Sequence, residues 1–280
     1  MSGLLQRAVT ALFFVVVMLG GLMTGKYSFV ALFGIISLLC LWEYLGMTLE
    51  NHGSPKDLFR KVMATLFGLS PFVLMALLKL EWTVVESFHV LSGAILLSFP
   101  VLFCFFIFEL FAACKKPFAN VGYTLLGLFY IGIPYTMLLL ITFENQTFNP
   151  HLALGILLMT WANDTGAYLV GSQIGKTPLL PRISPKKTWE GTLGGFALGL
   201  FVAYLMSLFF EELRLQEWLI VAIIVVVFGS IGDLVESMLK RSRGLKDSGN
   251  LLPGHGGFLD RFDAFLFCLP FVTAYLLFFR

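Results

Sequence analysis

The chain has 280 residues, 58% of them hydrophobic and 13% charged, with a mean hydropathy of +0.87 and a formal net charge of +2. Soluble domains are roughly 25% charged, so this composition leaves too little polar surface for a water-soluble fold, and a bilayer is the solvent that tolerates it. Cys40, Cys104, Cys114 and Cys268 form no C-x-x-C pair and sit in or beside apolar runs, which excludes a disulfide framework or zinc pattern and reads as packing.

A spanning helix needs about 20 mostly apolar residues. Nine stretches qualify, at about 8–24, 27–47, 62–80, 90–113, 121–143, 151–172, 190–210, 217–234 and 262–279. The first follows Arg7 with no small-residue cleavage pattern, so it is expected to remain as a transmembrane helix rather than leave as a signal peptide. Ser54 to Lys61, ahead of the third span, suggests a short interfacial stretch. Pro100, Pro134 and Pro270 fall inside spans, where neighbouring helices absorb a kink. No internal repeat or low-complexity linker interrupts the pattern. The expected fold is therefore all-α: a polytopic transmembrane helical bundle of about nine spans. Residues 1–150 supply about five N-terminal spans, and 151–280 a catalytic region with two long connections, 173–189 and 235–261.

Orientation follows from Lys and Arg in the connections. With the N-terminus inside and sides alternating, one side receives fifteen of the nineteen basic residues, from Arg7 to Arg261. The other receives only Lys26, Lys79, Arg214 and Arg280, together with Glu81, Glu86, Glu144, Glu211, Glu212 and Glu217. The split predicts a cytoplasmic N-terminus and places both long connections in the cytoplasm.

The densest chemistry lies in Ser237–Asp263, SMLKRSRGLKDSGNLLPGHGGFLDRFD, with five basic residues, three carboxylates, one His and five glycines. A solvated basic loop touching anionic lipid would explain the cations alone. It does not explain their alternation with carboxylates and glycines. Joining two polyanions, a nucleoside triphosphate and a phospholipid head group, calls for cations, here Lys240, Arg241, Arg243, Lys246 and Arg261. Gly254, Gly256 and Gly257 around His255 let backbone approach phosphate. Magnesium takes one or two carboxylates plus phosphate oxygens and water, and Asp233, Asp247, Asp260 and Asp263 are available. Asp260 and Asp263, three apart at a helix start, share a face, although capping alone would also place carboxylates there. Asp233 is read as ending the eighth span, where the helix dipole opposes a negative charge, so it reads as functional.

Upstream, Asn163, Asp164 and Tyr168 interrupt the sixth span; Asn163 and Asp164 are candidate substrate contacts, or a polar contact between helices. In PRISPKKTWEGTLGG, Ser184-Pro185 suggests a helix start with Lys186 and Lys187 in its first turn. Cations are unfavourable there unless an anion is bound, so a bound phosphate would resolve the conflict. Positive-inside topology is the plainer account, and Glu190 could offset them. Glu43 and Glu109 receive no role. His52, His89 and His151 read as interfacial.

The ungapped run S-M-L-K-R-x4-K-D-x-G-x2-L-P-G-H-G-G-F-L-D-R-F-D, with N-D-T-G-A-Y and S-P-K-K-T-x-E-G upstream, resembles the signature of phosphatidate cytidylyltransferases (CDP-diacylglycerol synthases). The resemblance covers most of the chain from Asn163 onward. It implies transfer of the cytidylyl group of CTP to phosphatidate in the bilayer, with pyrophosphate released, in phospholipid biosynthesis at a bacterial-type inner membrane. It also implies Mg2+, with a potassium-type ion beside it, and a homodimer; no nucleic-acid partner is expected. The implied roles are Asp233, Asp260 and Asp263 as metal ligands and catalytic carboxylates, and Lys240 as a catalytic cation. Lys186, Lys187, Arg241, Lys246, Asp247, His255, Gly256, Gly257, Arg261, Asn163 and Asp164 would bind substrate. A CTP-dependent lipid kinase, or an ion-coupled transporter using Asp164 and Asp233, are the competing readings.

Overall fold

The computed structural model describes residues 3–82, 87–144, 147–252 and 256–280. Every apolar run expected to span forms a helix: α1 (Gly3–Met23), α2 (Lys26–Thr48), α3 (Pro55–Lys79), α4 (Ser87–Ala112), α5 (Pro117–Gly127), α6 (Ile133–Thr142), α7 (His151–Ile174), α8 (Trp189–Phe209), α9 (Leu215–Ser242) and α10 (Leu259–Phe278). A π-helical turn, Leu128–Gly132, joins α5 and α6 into one rod, so among the described residues nine long rods stand where nine spans are expected. Seven of the rods are long and apolar enough to cross a membrane. The other two are α1, whose described apolar part is Val9–Met23, and α7, whose run is broken by Asn163 and Asp164. The π turn has a local cause. Pro134 has no N–H to return to the preceding turn, and the ladder widens just ahead of it.

Two local expectations change. Ser54 to Lys61 is not a separate interfacial stretch, because α3 begins at Pro55. Ser54 Oγ accepts from Asp57 N at 3.3 Å and Asp57 Oδ2 accepts from Ser54 N at 3.1 Å, a reciprocal cap. Nor does Ser184-Pro185 open a helix. Pro178–Leu180 (β3) and Ser184–Thr188 (β4) form an antiparallel hairpin, with Pro178 opposite Thr188. It is the larger of two hairpins; the other pairs Phe143–Glu144 (β1) with Thr147–Phe148 (β2). α8 starts only at Trp189, after Thr188 Oγ1 accepts from Gly191 N at 3.2 Å. Glu190 faces away from the lysines: its carboxylate accepts from the backbone amides of Lys176 and Thr177, each at 3.1 Å, and closes the hairpin base. Lys186 and Lys187 thus ride on a strand just ahead of the Thr188 N-cap of α8, rather than in the first turn of a helix.

The core is aromatic. Phe29, Phe33 and Tyr44 of α2, Tyr135 of α6, and Phe262 and Phe265 of α10 are buried together, with Phe33 stacked on Phe265 at 6.0 Å between ring centres. In a bilayer, packing rather than escape from water favours such contacts. α7 and α8 meet backbone to backbone: a Cβ on Gly166 would lie 2.6 Å from the Gly194 carbonyl, and one on Gly195 2.6 Å from that of Asn163.

The ends of the bundle differ. At one end, Arg243 donates to the Thr48 carbonyl (3.0 Å) and lies over the Tyr123 ring. Beside it Arg60, only 1% exposed, pairs with Glu109, with Asp57 at 2.8 Å and with the Glu50 carbonyl at 3.1 Å; Asn120 completes Glu109 at 3.2 Å. This network ties α3, α4 and α5. At the other end, His151 and Asn149 bind Glu212. Burial alone would raise the Glu212 carboxyl, but the bonds from His151 and Asn149 outweigh it and hold it below the ordinary carboxylate range.

Removing one member of a buried ion pair strands the other. Glu109→Ala is therefore expected to lower stability by about 3–5 kcal/mol, seen as a clear fall in the thermal unfolding midpoint in detergent; an unchanged midpoint would show the network to be dispensable.

Candidate active site

α9 forms the spine of the site. Its sequence turns from apolar to charged after Ile231, yet the helix continues to Ser242. Asp233 therefore lies well inside α9, and the dipole argument for it does not apply. The connection to α10 is 243–258 rather than 235–261. The charged turns stay helical because Asp233, Glu236 and Lys240 fall on one face and are met there by partners. Lys187 of β4 pairs with Asp233. Lys240 pairs with Glu236 one turn back and with Asp260 at 2.5 Å. Ser237 Oγ adds a 3.3 Å bond to Asp233 Oδ1.

Asp260 stands in the first turn of α10. While Lys240 takes its Oδ1, its Oδ2 accepts from Ser248 N (2.9 Å), Ser248 Oγ (3.0 Å) and Gly257 N (2.8 Å). The 243–258 loop is thus folded onto one carboxylate. Gly256 makes this possible. Its φ of +82° suits glycine, and a Cβ there would sit 2.9 Å from Asp260 Oδ2. One turn on, Asp263 is buried; its described hydrogen bond is from Ala264 N at 2.7 Å, and its electrostatic neighbours are Asp233, Glu236 and Asp164. Asp164, on α7, is in electrostatic reach of Asp233, Lys187 and Arg261.

The structure thus brings together Asp164, Lys187, Asp233, Lys240, Gly256, Gly257, Asp260, Arg261 and Asp263. Lys186, Lys246 and Asp247 are exposed nearby. Arg241 is exposed and turned to the Leu245 carbonyl at 3.1 Å, away from the carboxylates. Asn163 is buried at the seam of α7 with α8 and α9, donating to Ser230 Oγ at 3.4 Å. That is the helix-to-helix contact named as its plainer reading. His255 and Gly254 lie outside the described residues.

Three participants were not foreseen. Glu236 is fully buried against Lys240; its spacing from Asp233 and Lys240 would have disclosed it had the helix been carried past 234. Ser248 bridges carboxylates from a loop. Glu43 of α2 accepts from Ser248 Oγ at 3.0 Å and from Leu259 N at 2.9 Å. Its one sequence signal was an acidic residue inside a spanning helix.

Charge decides whether the site suits a divalent metal. By formal charge, five carboxyl groups, Asp164, Asp233, Glu236, Asp260 and Asp263, stand against three cations, Lys187, Lys240 and Arg261, so neutrality here calls for protons or for a further cation. Among the described residues no three acidic, His or Cys side chains close into a ready-made cage. Magnesium does not need one, since one or two carboxylates suffice when phosphate oxygens and water complete its shell. Asp233, whose oxygens meet Lys187 and Ser237, fits that role once Lys187 turns to another anion, and Asp263 stands within its electrostatic reach. Asp260, with both oxygens committed to Lys240 and the loop, fits it only by releasing Lys240.

Residues 5–279 match the family model described as "Cytidylyltransferase family". Among curated proteins, the chain is 34% identical over 277 residues to a phosphatidate cytidylyltransferase of Staphylococcus aureus (strain COL), covering 97% of this chain and 98% of that protein. It is 34% identical over 275 residues to that of Staphylococcus haemolyticus (strain JCSC1435) and 33% over 274 to that of Staphylococcus epidermidis (strain ATCC 35984), with the same shares of each chain.

The geometry separates two neighbouring cations. Lys240→Ala leaves Glu236 and Asp260 without their shared partner, and a loss of about 3–5 kcal/mol in stability is expected. Arg241→Ala, at an exposed position, is expected to stay within about 0.5 kcal/mol of the parent. Thermal unfolding of both variants in detergent checks the contrast; equal midpoints would contradict it.

Proposed function

The chain belongs to the cytidylyltransferase family, and we propose that it is a phosphatidate cytidylyltransferase acting at the cleft between the β3–β4 hairpin, α7, α9 and α10. It is a multi-pass membrane enzyme, a nucleotidyltransferase that converts CTP and phosphatidate into CDP-diacylglycerol and pyrophosphate. The observation that carries the site assignment is the convergence of Lys187–Asp233 and Lys240–Asp260 on one face of α9.

The reaction needs no protein nucleophile. An oxygen of the phosphatidate phosphate attacks the α-phosphorus of CTP. A new P–O bond forms, the bond to the oxygen bridging the α- and β-phosphates breaks, and that oxygen leaves with pyrophosphate. The obstacle is repulsion between two anions, and fixed positive charge lowers it. Lys187 and Arg261 stand where the triphosphate would enter, with exposed Lys186 and Lys246 drawing anions towards them. Lys187 is held by Asp233. An arriving phosphate offers the ammonium a second anion and frees carboxylate oxygens on Asp233. Lys240 keeps Asp260, and through it the glycine loop, in place beside the cleft. Asp233 and Asp263 would hold magnesium, which when bound would supply neutralising charge for the α-phosphate and the departing pyrophosphate. Homodimerisation and a potassium-type ion beside magnesium extend the same reading.

CTP is a cytosolic substrate, and the cleft lies at the end of the bundle that carries most of the Lys and Arg. This favours a cytoplasmic active site in a plasma-type membrane. Cysteine placed at Lys116 is expected to be shielded from an impermeant reagent added outside, and cysteine at Glu211 to react; labelling at position 116 would reverse the orientation.

Purified protein given α-labelled CTP and phosphatidate is expected to move label into the lipid phase and release one pyrophosphate per lipid. Release of CDP instead would mark a lipid kinase. Asp233→Asn keeps the shape and removes the charge. It should lower kcat/KM by about a hundredfold or more, roughly 3 kcal/mol, with the thermal midpoint preserved. Parent-like rates and magnesium dependence in Asp233→Asn would refute the site.

A further inference from the structure

We propose that Glu43 of α2, remote in sequence from the site, is a positioning residue for this reaction. It caps α10 from another helix and pins the 243–258 loop, and so fixes where Asp260 and Asp263 stand. The proposal rests on the cleft described above being the active site.

The first N–H groups of a helix have no partner within it, and a side chain at the N-cap ordinarily supplies one. α10 lacks such a cap. Its N-cap is Phe258, and no side-chain cap bond is made there. Glu43 fills the gap: its Oε2 accepts the Leu259 N–H at 2.9 Å, at the first residue of α10. A carboxylate at this end of a helix is also favoured by the dipole. The same oxygen accepts from Ser248 Oγ at 3.0 Å. Ser248 Oγ in turn lies 3.0 Å from Asp260 Oδ2. With a single proton, this hydroxyl serves one carboxylate at a time, which couples Glu43 to Asp260 through one atom.

The loop is shaped around this carboxylate. A Cβ on Gly249 would lie 2.5 Å from Glu43 Oε1, and one on Gly257 would meet Ser248 Oγ first and then Glu43, whose Cδ would be 2.8 Å away. Gly249 is thus accounted for by the room Glu43 takes up, and Gly257 by Ser248 and Glu43 together. Glu43 itself is only 6% exposed, and a carboxylate buried in a spanning helix is costly to keep. A Ser or Asp at position 258 would cap α10 locally. Recruiting the cap from α2 instead ties α10 and the loop to the N-terminal half of the bundle.

The test uses the purified full chain and four variants: Glu43→Ala, Glu43→Gln, Ser248→Ala and the Glu43→Ala/Ser248→Ala double. Three quantities are read: kcat and KM for CTP, the magnesium concentration giving half-maximal rate, and the rate of tryptic cleavage after Lys246. Loss of an outer partner is expected to lower kcat/KM by about 10- to 100-fold in Glu43→Ala and to raise the magnesium requirement. Cleavage after Lys246 should quicken. The loss in the double variant should fall short of the product of the two single losses, because the Glu43–Ser248 contact is broken by either change. Glu43→Gln, whose carbonyl can accept the same two hydrogen bonds, should restore most of the activity and the protection from trypsin. Losses that multiply in the double variant, a Gln variant no better than Ala, or unchanged protection in Glu43→Ala would each overturn the proposal. Should Glu43→Ala fail to fold, parent-like kinetics and protection in Ser248→Ala would overturn it alone. A parent protein that transfers no label would defeat the assigned reaction while leaving the trypsin comparison intact.

Discussion

One ammonium holds the site in register. Lys240 sits between Glu236 on its own helix and Asp260 on the next, all three largely withdrawn from water. Charges in such a place are stable only when matched, and a mismatch costs several kcal/mol. The pairing therefore sets how α9 and α10 approach, and with that the separation of Asp233 from Asp263. The loop follows: its Ser248 and Gly257 amides close on the Asp260 oxygen that Lys240 leaves free.

The cleft also has a division of labour. Charges that face each other inside it are paired, while those outside, Lys186 and Lys246, are exposed. Paired groups align reacting atoms, and exposed ones raise the local concentration of an anion without specifying its pose. The site stands where spanning helices end, so a lipid head group can arrive laterally and a nucleotide from the water.

Most of the helices could be read in the sequence because, among the described residues, seven of the rods are long and apolar enough to span on that content alone. Polarity is not a boundary in this chain. The apolar run of α9 gives way to charges near residue 234, but those charges are paired in space and cost the helix little. Ser184-Pro185 carries a helix-start pattern, yet Glu190 bonds the Lys176 and Thr177 amides and draws the segment into a hairpin. The carboxylates and glycines of the last third were legible because they crowd one stretch. Glu43 was not: its partners Ser248 and Leu259 lie 205 and 216 residues away, and no local spacing encodes such a contact. The distinction between Lys240 and Arg241, adjacent in sequence, also needed three dimensions, since one turns into the bundle and the other to the loop.

The β3–β4 hairpin bears on the thermodynamics of substrate capture. Lys187 could have been presented by a floppy linker, which would have to be ordered each time an anion bound. Freezing the backbone of a single residue opposes binding by roughly 1–2 kcal/mol. Here the strand pairing and the Glu190 clasp immobilise the segment during folding, before any ligand arrives. In the proposed reaction the lysine would then give up its side-chain rotamers and part of its pairing with Asp233 on meeting a phosphate, but little backbone freedom. A short two-stranded ribbon in a largely helical protein would thus act as an entropy-saving arm.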